Sequence, residues 1–100
     1  MGRSKQREIG AIIVENKKRD LAGLIKILLM KGKKGKMDVT LSAVLEIEEG
    51  NENDKKYHKA SIVPPVTTSP NNEQELIKDQ GKFTIKLMDY LERKGFSLYY

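Results

Sequence analysis

Between Met37 and Glu48 the sequence holds a two-residue period for twelve residues. Met37, Val39, Leu41, Ala43, Leu45 and Ile47 alternate with Asp38, Thr40, Ser42, Val44, Glu46 and Glu48, and Val44 is the one apolar intruder. Successive side chains of a strand point to opposite faces, so this stretch predicts a long strand with one buried and one wet face. Turn-forming Glu49-Gly50-Asn51-Glu52-Asn53-Asp54 follows. A second strand over Lys55–Val63 ends at Pro64-Pro65, because proline cannot donate to a ladder. The whole of 37–63 reads as a β-hairpin.

Upstream, Glu8–Glu15 is a short β-branched run that reads as a strand, although short apolar runs are ambiguous by period. Asp20 is a candidate N-cap. Leu21, Leu24, Ile25, Leu28 and Leu29 then fall at the spacing of one helical stripe, which predicts an amphipathic helix ending at Gly32 and Gly35. Lys31, Lys33, Lys34 and Lys36 would sit at its carboxyl end, where the dipole favours cations. Downstream, 64–72 reads as a proline-directed loop. Asn71 or Asn72 caps a helix over 73–94, which Gly81 either kinks or divides in two. Gly95 ends it, and 96–100 reads as a closing strand. The expected fold is α+β: a small antiparallel sheet around a central β-hairpin, packed by two helices in the order β-α-β-β-α-(β). Residues 1–7 read as a basic flexible arm and 8–100 as a single domain.

Charge is unevenly distributed. Residues 1–36 carry eleven Lys or Arg against Glu8, Glu15 and Asp20, a balance of +8. Residues 37–100 carry eight basic against eleven acidic side chains, a balance of −3. The basic residues form three groups: Arg3, Lys5 and Arg7; Lys17, Lys18 and Arg19; Lys31, Lys33, Lys34 and Lys36. Lysine outnumbers arginine fifteen to four, a ratio suited to non-specific phosphate attraction rather than bidentate base readout. The acidic residues Glu46, Glu48, Glu49, Glu52 and Asp54 crowd the hairpin tip. They lack the residue order of a calcium loop, so the expectation there is a charged tip or a phosphate mimic facing a protein partner, and no metal.

Lys82–Ser97 resembles the last helix of winged-helix domains, as in the bacterial selenocysteine-specific elongation factor. Lys82-Phe83 takes the place of the basic-aromatic pair that opens that helix, and Asp89-Tyr90-Leu91-Glu92-Arg93-Lys94-Gly95-Phe96 the run that closes it. The resemblance covers about a quarter of the chain, and implies a winged-helix-like alternative in which this helix reads nucleic acid.

Several other features carry no reaction. KGKKGK over 31–36 lacks the spacing of a phosphate-binding loop. His58 is the sole histidine and has no nucleophile and carboxylate to make a catalytic set. Cysteine is absent, which removes disulfides and thiolate chemistry. Tyr57, Tyr90, Tyr99 and Tyr100 are candidate stacking surfaces for bases, or core and contact residues. The sequence therefore points away from an enzyme and from any cofactor, membrane span or secretory leader, and towards an intracellular, cytoplasmic setting. The expected function is a small accessory protein that binds nucleic acid, DNA or RNA, mainly through phosphates and with little sequence preference. The alternative is a protein-binding modulator or inhibitor of virus or plasmid type, acting through the hairpin and its acidic tip. A homodimer is compatible with either.

Overall fold

The computed structural model describes residues 6–19, 21–32, 38–49 and 56–99. The alternating segment forms a strand as its period requires, and the strands around it build one antiparallel sheet. In chain order the elements are β1 (Gln6–Asn16), a 3-10 turn (Lys17–Arg19), β2 (Leu21–Lys31), β3 (Val39–Glu49), β4 (Lys56–Ser61), β5 (Val66–Thr68), α1 (Glu73–Arg93) and β6 (Ser97–Tyr99). The strands lie in the order β4-β3-β2-β1-β6, and β5 pairs with β3 alongside β4. Architecture is therefore α+β, but with one helix among the described residues instead of two. β1 starts at Gln6 and so takes in Arg7, which the sequence assigns to the arm.

The largest departure is the stretch expected to be the first helix. Leu21–Lys31 is the central strand β2, bonded to β1 on one side and β3 on the other. Its leucines satisfy a helical stripe, yet Ile25, Ile27 and Leu29 also alternate, and these three are the residues it buries. Two flanking ladders satisfy its backbone donors and acceptors along its length. That tertiary pairing outweighs the modest local preference for a helix. With no helix here, the lysines after Met30 have no helical dipole to complement. Asp20, the proposed cap, lies outside the described residues.

The expected hairpin is present as β3 and β4, with Glu49 opposite Lys56 and Val44 opposite Ser61. Beyond Ser61 the chain leaves the ladder at the Pro64-Pro65 pair, which lacks the N–H groups a ladder needs. It then rejoins the same edge of β3 as β5, with Val66 opposite Leu41 and Thr68 opposite Val39. A short strand thus stands within the stretch expected to be only loop.

One face of the sheet is covered. Ile12 and Val14 from β1, Ile25, Ile27 and Leu29 from β2, and Val39, Leu41, Ala43 and Leu45 from β3 point to that face and are buried beneath Phe83, Leu87 and Leu91 of α1. Asn72 caps the helix by accepting from the Glu75 N–H at 2.9 Å, while the Glu75 carboxylate accepts from the Asn71 N–H at 2.8 Å. The helix runs unbroken through Gly81. It closes with the Gly95 N–H on the Glu92 carbonyl and the Phe96 N–H on the Leu91 carbonyl, both at 3.0 Å. This two-bond closure places Gly95 at φ +91°, a region that L residues rarely enter. The buried Asn16 side chain donates to the Lys94 carbonyl at 3.4 Å and ties the cap to the end of β1. β6 then adds to the outer edge of β1, with Tyr99 opposite Ile13. The segment 82–97 that resembles a winged-helix element accordingly comprises the second half of α1, its cap and the start of β6.

Candidate nucleic-acid interface

The strand registers decide where the basic groups lie. Gln6 pairs with Met30 and Arg7 with Leu29, so Arg7 and Lys31 stand on neighbouring strands at one end of the sheet, and both are exposed. Lys17 and Lys18 occupy the turn at the far end of β1 and are also exposed. Ten strand steps of about 3.3 Å separate the two ends by roughly 33 Å. Arg19 belongs to that same turn. Arg3, Lys5, Lys33, Lys34 and Lys36 lie outside the described residues.

The acidic tip shares an end with the second basic group. Gly23, two residues into β2, pairs with Ile47, and Glu48 and Glu49 close β3 at that end. Glu46 is held on both sides, by Lys26 Nζ at 3.3 Å and Lys59 Nζ at 3.5 Å. Its charge is thus compensated within the sheet. Glu52 and Asp54 lie outside the described residues. Among the described residues no group of three or more histidine, cysteine or carboxylate side chains is placed to hold a metal ion.

The face of the sheet opposite α1 carries Ile13, Leu24, Lys26, Leu28, Met30, Val44, Glu46 and Tyr99. Ile13 is 58% and Tyr99 51% exposed, and the two are register partners, so they form one uncovered aromatic-aliphatic surface. Tyr90 lies instead on the helix, with the Lys94 ammonium 5.6 Å from its ring centre. Tyr57 and His58 are in β4, opposite Glu48 and Ile47, and Tyr100 lies outside the described residues.

The sequence reading missed a further basic feature. Lys78, Lys82 and Lys86 recur at every fourth residue of α1 and are all exposed. The i, i+4 spacing is visible in the sequence, but Lys78 and Lys86 enter none of the three basic groups read there and Lys82 enters only the winged-helix resemblance. Lys82 and Lys86, with Asp79, rim a groove of about 350 Å³ whose walls are Val63, Pro64, Val66, Phe83 and Leu87. Thr68 Oγ1 lines the same groove, is buried, and has no hydrogen-bond partner.

No helix among the described residues is long and apolar enough to cross a membrane. No protein-family model matches the chain, and neither a curated protein nor a solved structure matches it.

Proposed function

We propose that this chain is a small nucleic-acid-binding accessory protein that holds its ligand chiefly through phosphates. The observation that carries the reading is the convergence of Arg7 and Lys31. The β1–β2 register brings to one end of the sheet two residues that belong to separate basic groups, the arm and the 31–36 run, with Arg7 opposite Leu29 and Lys31 two residues further along β2. Clustered cations neutralise neighbouring phosphates and release their counterions, which favours backbone binding without base readout. The Lys17–Lys18 turn is a weaker contributor, because the acidic end of β3 shares its end of the sheet. The exposed Ile13–Tyr99 surface supports the reading further, since an aromatic side chain on an open sheet face can stack on an unpaired base.

The test is fluorescence anisotropy with mixed-sequence single- and double-stranded oligonucleotides across a salt series. The logarithm of affinity falls linearly with the logarithm of salt, at about 0.7–0.9 per phosphate contacted. The double substitution Arg7→Glu, Lys31→Glu is expected to reduce that slope by about two contacts, and Lys17→Glu, Lys18→Glu by less. Absence of binding at low salt overturns the proposal. Equal losses from the two pairs would refute the assignment to the Arg7–Lys31 end.

A further inference from the structure

The short strand β5 leaves one threonine satisfied and the next one not. Thr67 is opposite Thr40, and their hydroxyls lie 3.2 Å apart. Val66 and Thr68 are opposite Leu41 and Val39. Residues directly opposite on paired strands share a face, so Val66 and Thr68 project to the side of the sheet that α1 covers. There the Thr68 hydroxyl is buried and has no hydrogen-bond partner among the described residues. Burying an unsatisfied hydroxyl is unfavourable, and valine would fill the same space without that cost. A threonine at this position calls for a hydrogen-bonding partner from outside.

Thr68 lines the groove of about 350 Å³ beside α1, a volume within the range of small-molecule sites. On the helix side, Asp79, Lys82, Phe83, Lys86 and Leu87 recur at the three- and four-residue spacing of one stripe. That stripe is divided by depth: Phe83 and Leu87 are buried, whereas Lys82 and Lys86 are exposed. Across the groove, Val63 and Pro64 from the link after β4 and Val66 of β5 form an apolar wall. The site thus combines an apolar interior, a hydroxyl in need of a partner and two ammonium groups at the rim. Neither ammonium is held in an ion pair by a described residue.

These features identify the chemistry of an occupant. An apolar body matches the walls, and two cations favour a negative head group over a neutral or positive one. Asp79 offsets one of the two, so a single negative charge brings the rim to neutrality. A second would stand uncompensated beside apolar surface. A carboxylate has two oxygens with about four acceptor sites, enough for the Thr68 hydroxyl and an ammonium on a flexible lysine stem together. From Asp79 to Leu87 the lining runs about 12 Å along the helix axis. Three backbone bonds span about 3.6 Å when extended, so a chain of about ten single bonds matches that length.

The geometry points to a binding site for an amphipathic monocarboxylate, an acyl chain of about ten carbons seated between α1 and β5. The site stands apart from the phosphate contacts, which use Arg7 and Lys31 at the end of the β1–β2 ladder.

The experiment is a titration of the full chain with decanoate, followed by amide chemical shifts, on protein that has been nuclease-treated and freed of oligonucleotide. Without nucleic acid present, failure here and failure of the phosphate-binding reading are distinguishable. The expected result is saturable binding at one site, with a dissociation constant of about a millimolar or tighter and shifts centred on Val66, Thr68, Phe83 and Leu87. Decylammonium, with the same chain and the opposite charge, should bind more weakly. Replacing both rim lysines, Lys82→Gln with Lys86→Gln, should weaken decanoate by about three- to tenfold. Lys78→Gln removes the same charge from the same helix outside the groove and should leave affinity unchanged. Asp79→Asn should strengthen binding by about twofold. Thr68→Val should weaken it by about two- to tenfold while the fold stays as stable or gains, a pairing that a merely structural threonine would not show. No binding at millimolar decanoate, equal binding of decylammonium, or full affinity in both Thr68→Val and the lysine pair would each overturn the assignment. Shifts centred on Ile9 and Met88 would place the ligand in the groove on the other flank of α1 and overturn it as well.

Discussion

Replacing glycine by alanine inside α1 and just past its end should move stability in opposite directions. Gly81 lies inside α1, and an added Cβ there meets nothing within 4 Å. Alanine removes the backbone entropy cost of a helical glycine, a gain of about 0.8–1 kcal/mol. Gly95 has φ +91°, and its added Cβ would stand 3.6 Å from Asn16 Nδ2, an ordinary contact. Its penalty is therefore conformational and not steric, about 1–2 kcal/mol for an L residue forced to the left-handed side. For a domain of this size each kcal/mol corresponds to about 4–8 °C in Tm. Gly81→Ala should thus raise Tm by about 4–8 °C and Gly95→Ala lower it by about 4–16 °C. Thermal unfolding followed by circular dichroism reads both shifts. The positions are fourteen residues apart and share no partner, so the double substitution should equal the sum within about 0.5 kcal/mol. A neutral Gly95→Ala would show that the two-bond helix closure does not hold the end of α1, and a destabilising Gly81→Ala would show that its surroundings are not open. Either outcome refutes the reasoning.

Leu41 is fully buried near the start of β3, and Leu41→Ala should cost about 2–5 kcal/mol, seen as a lower urea midpoint with an unchanged slope. Thr68→Val removes a buried hydroxyl that has no partner, so urea unfolding should show unchanged or greater stability, in contrast to the loss usual for a buried hydrogen-bonded threonine. Asn72→Ala takes away the acceptor of the Glu75 N–H and should cost about 1 kcal/mol, with Asn72→Asp retaining most of the stability in the same assay.

Where the sequence was legible, local pattern and tertiary surroundings agreed. β3 has one covered face and one open face, so its composition alternates cleanly and its burial follows the alternation. The proline pair marks the break between β4 and β5 because a missing N–H acts locally. β2 was illegible for the opposite reason: as the central strand it carries apolar residues on both faces, and such a run fits a helical stripe as well as a strand. One residue in it did bear on the choice. A Cβ at Gly23 would come within 2.8 Å of the Glu46 carbonyl oxygen, so the close approach of β3 requires a glycine there, whereas a helix would have gained from alanine.

That one element determined how the charge was read. Eleven residues rise about 15 Å as a helix and about 33 Å as a strand. Lys17 and Lys18 therefore stand at the opposite end of the sheet from Lys31, which is returned to the side of Arg7. The apolar surplus of α1 was hidden by a different limit. Ile77, Gly81 and Ile85 show their spacing in the sequence, but an amphipathic pattern does not say which apolar residues the sheet leaves over. Phe83, Leu87 and Leu91 take the core, and the two isoleucines remain in solvent because α1 presents a wider apolar arc than one sheet face covers. Charge position followed from strand register and apolar surplus from packing, and both are properties of the assembled sheet rather than of any segment read alone.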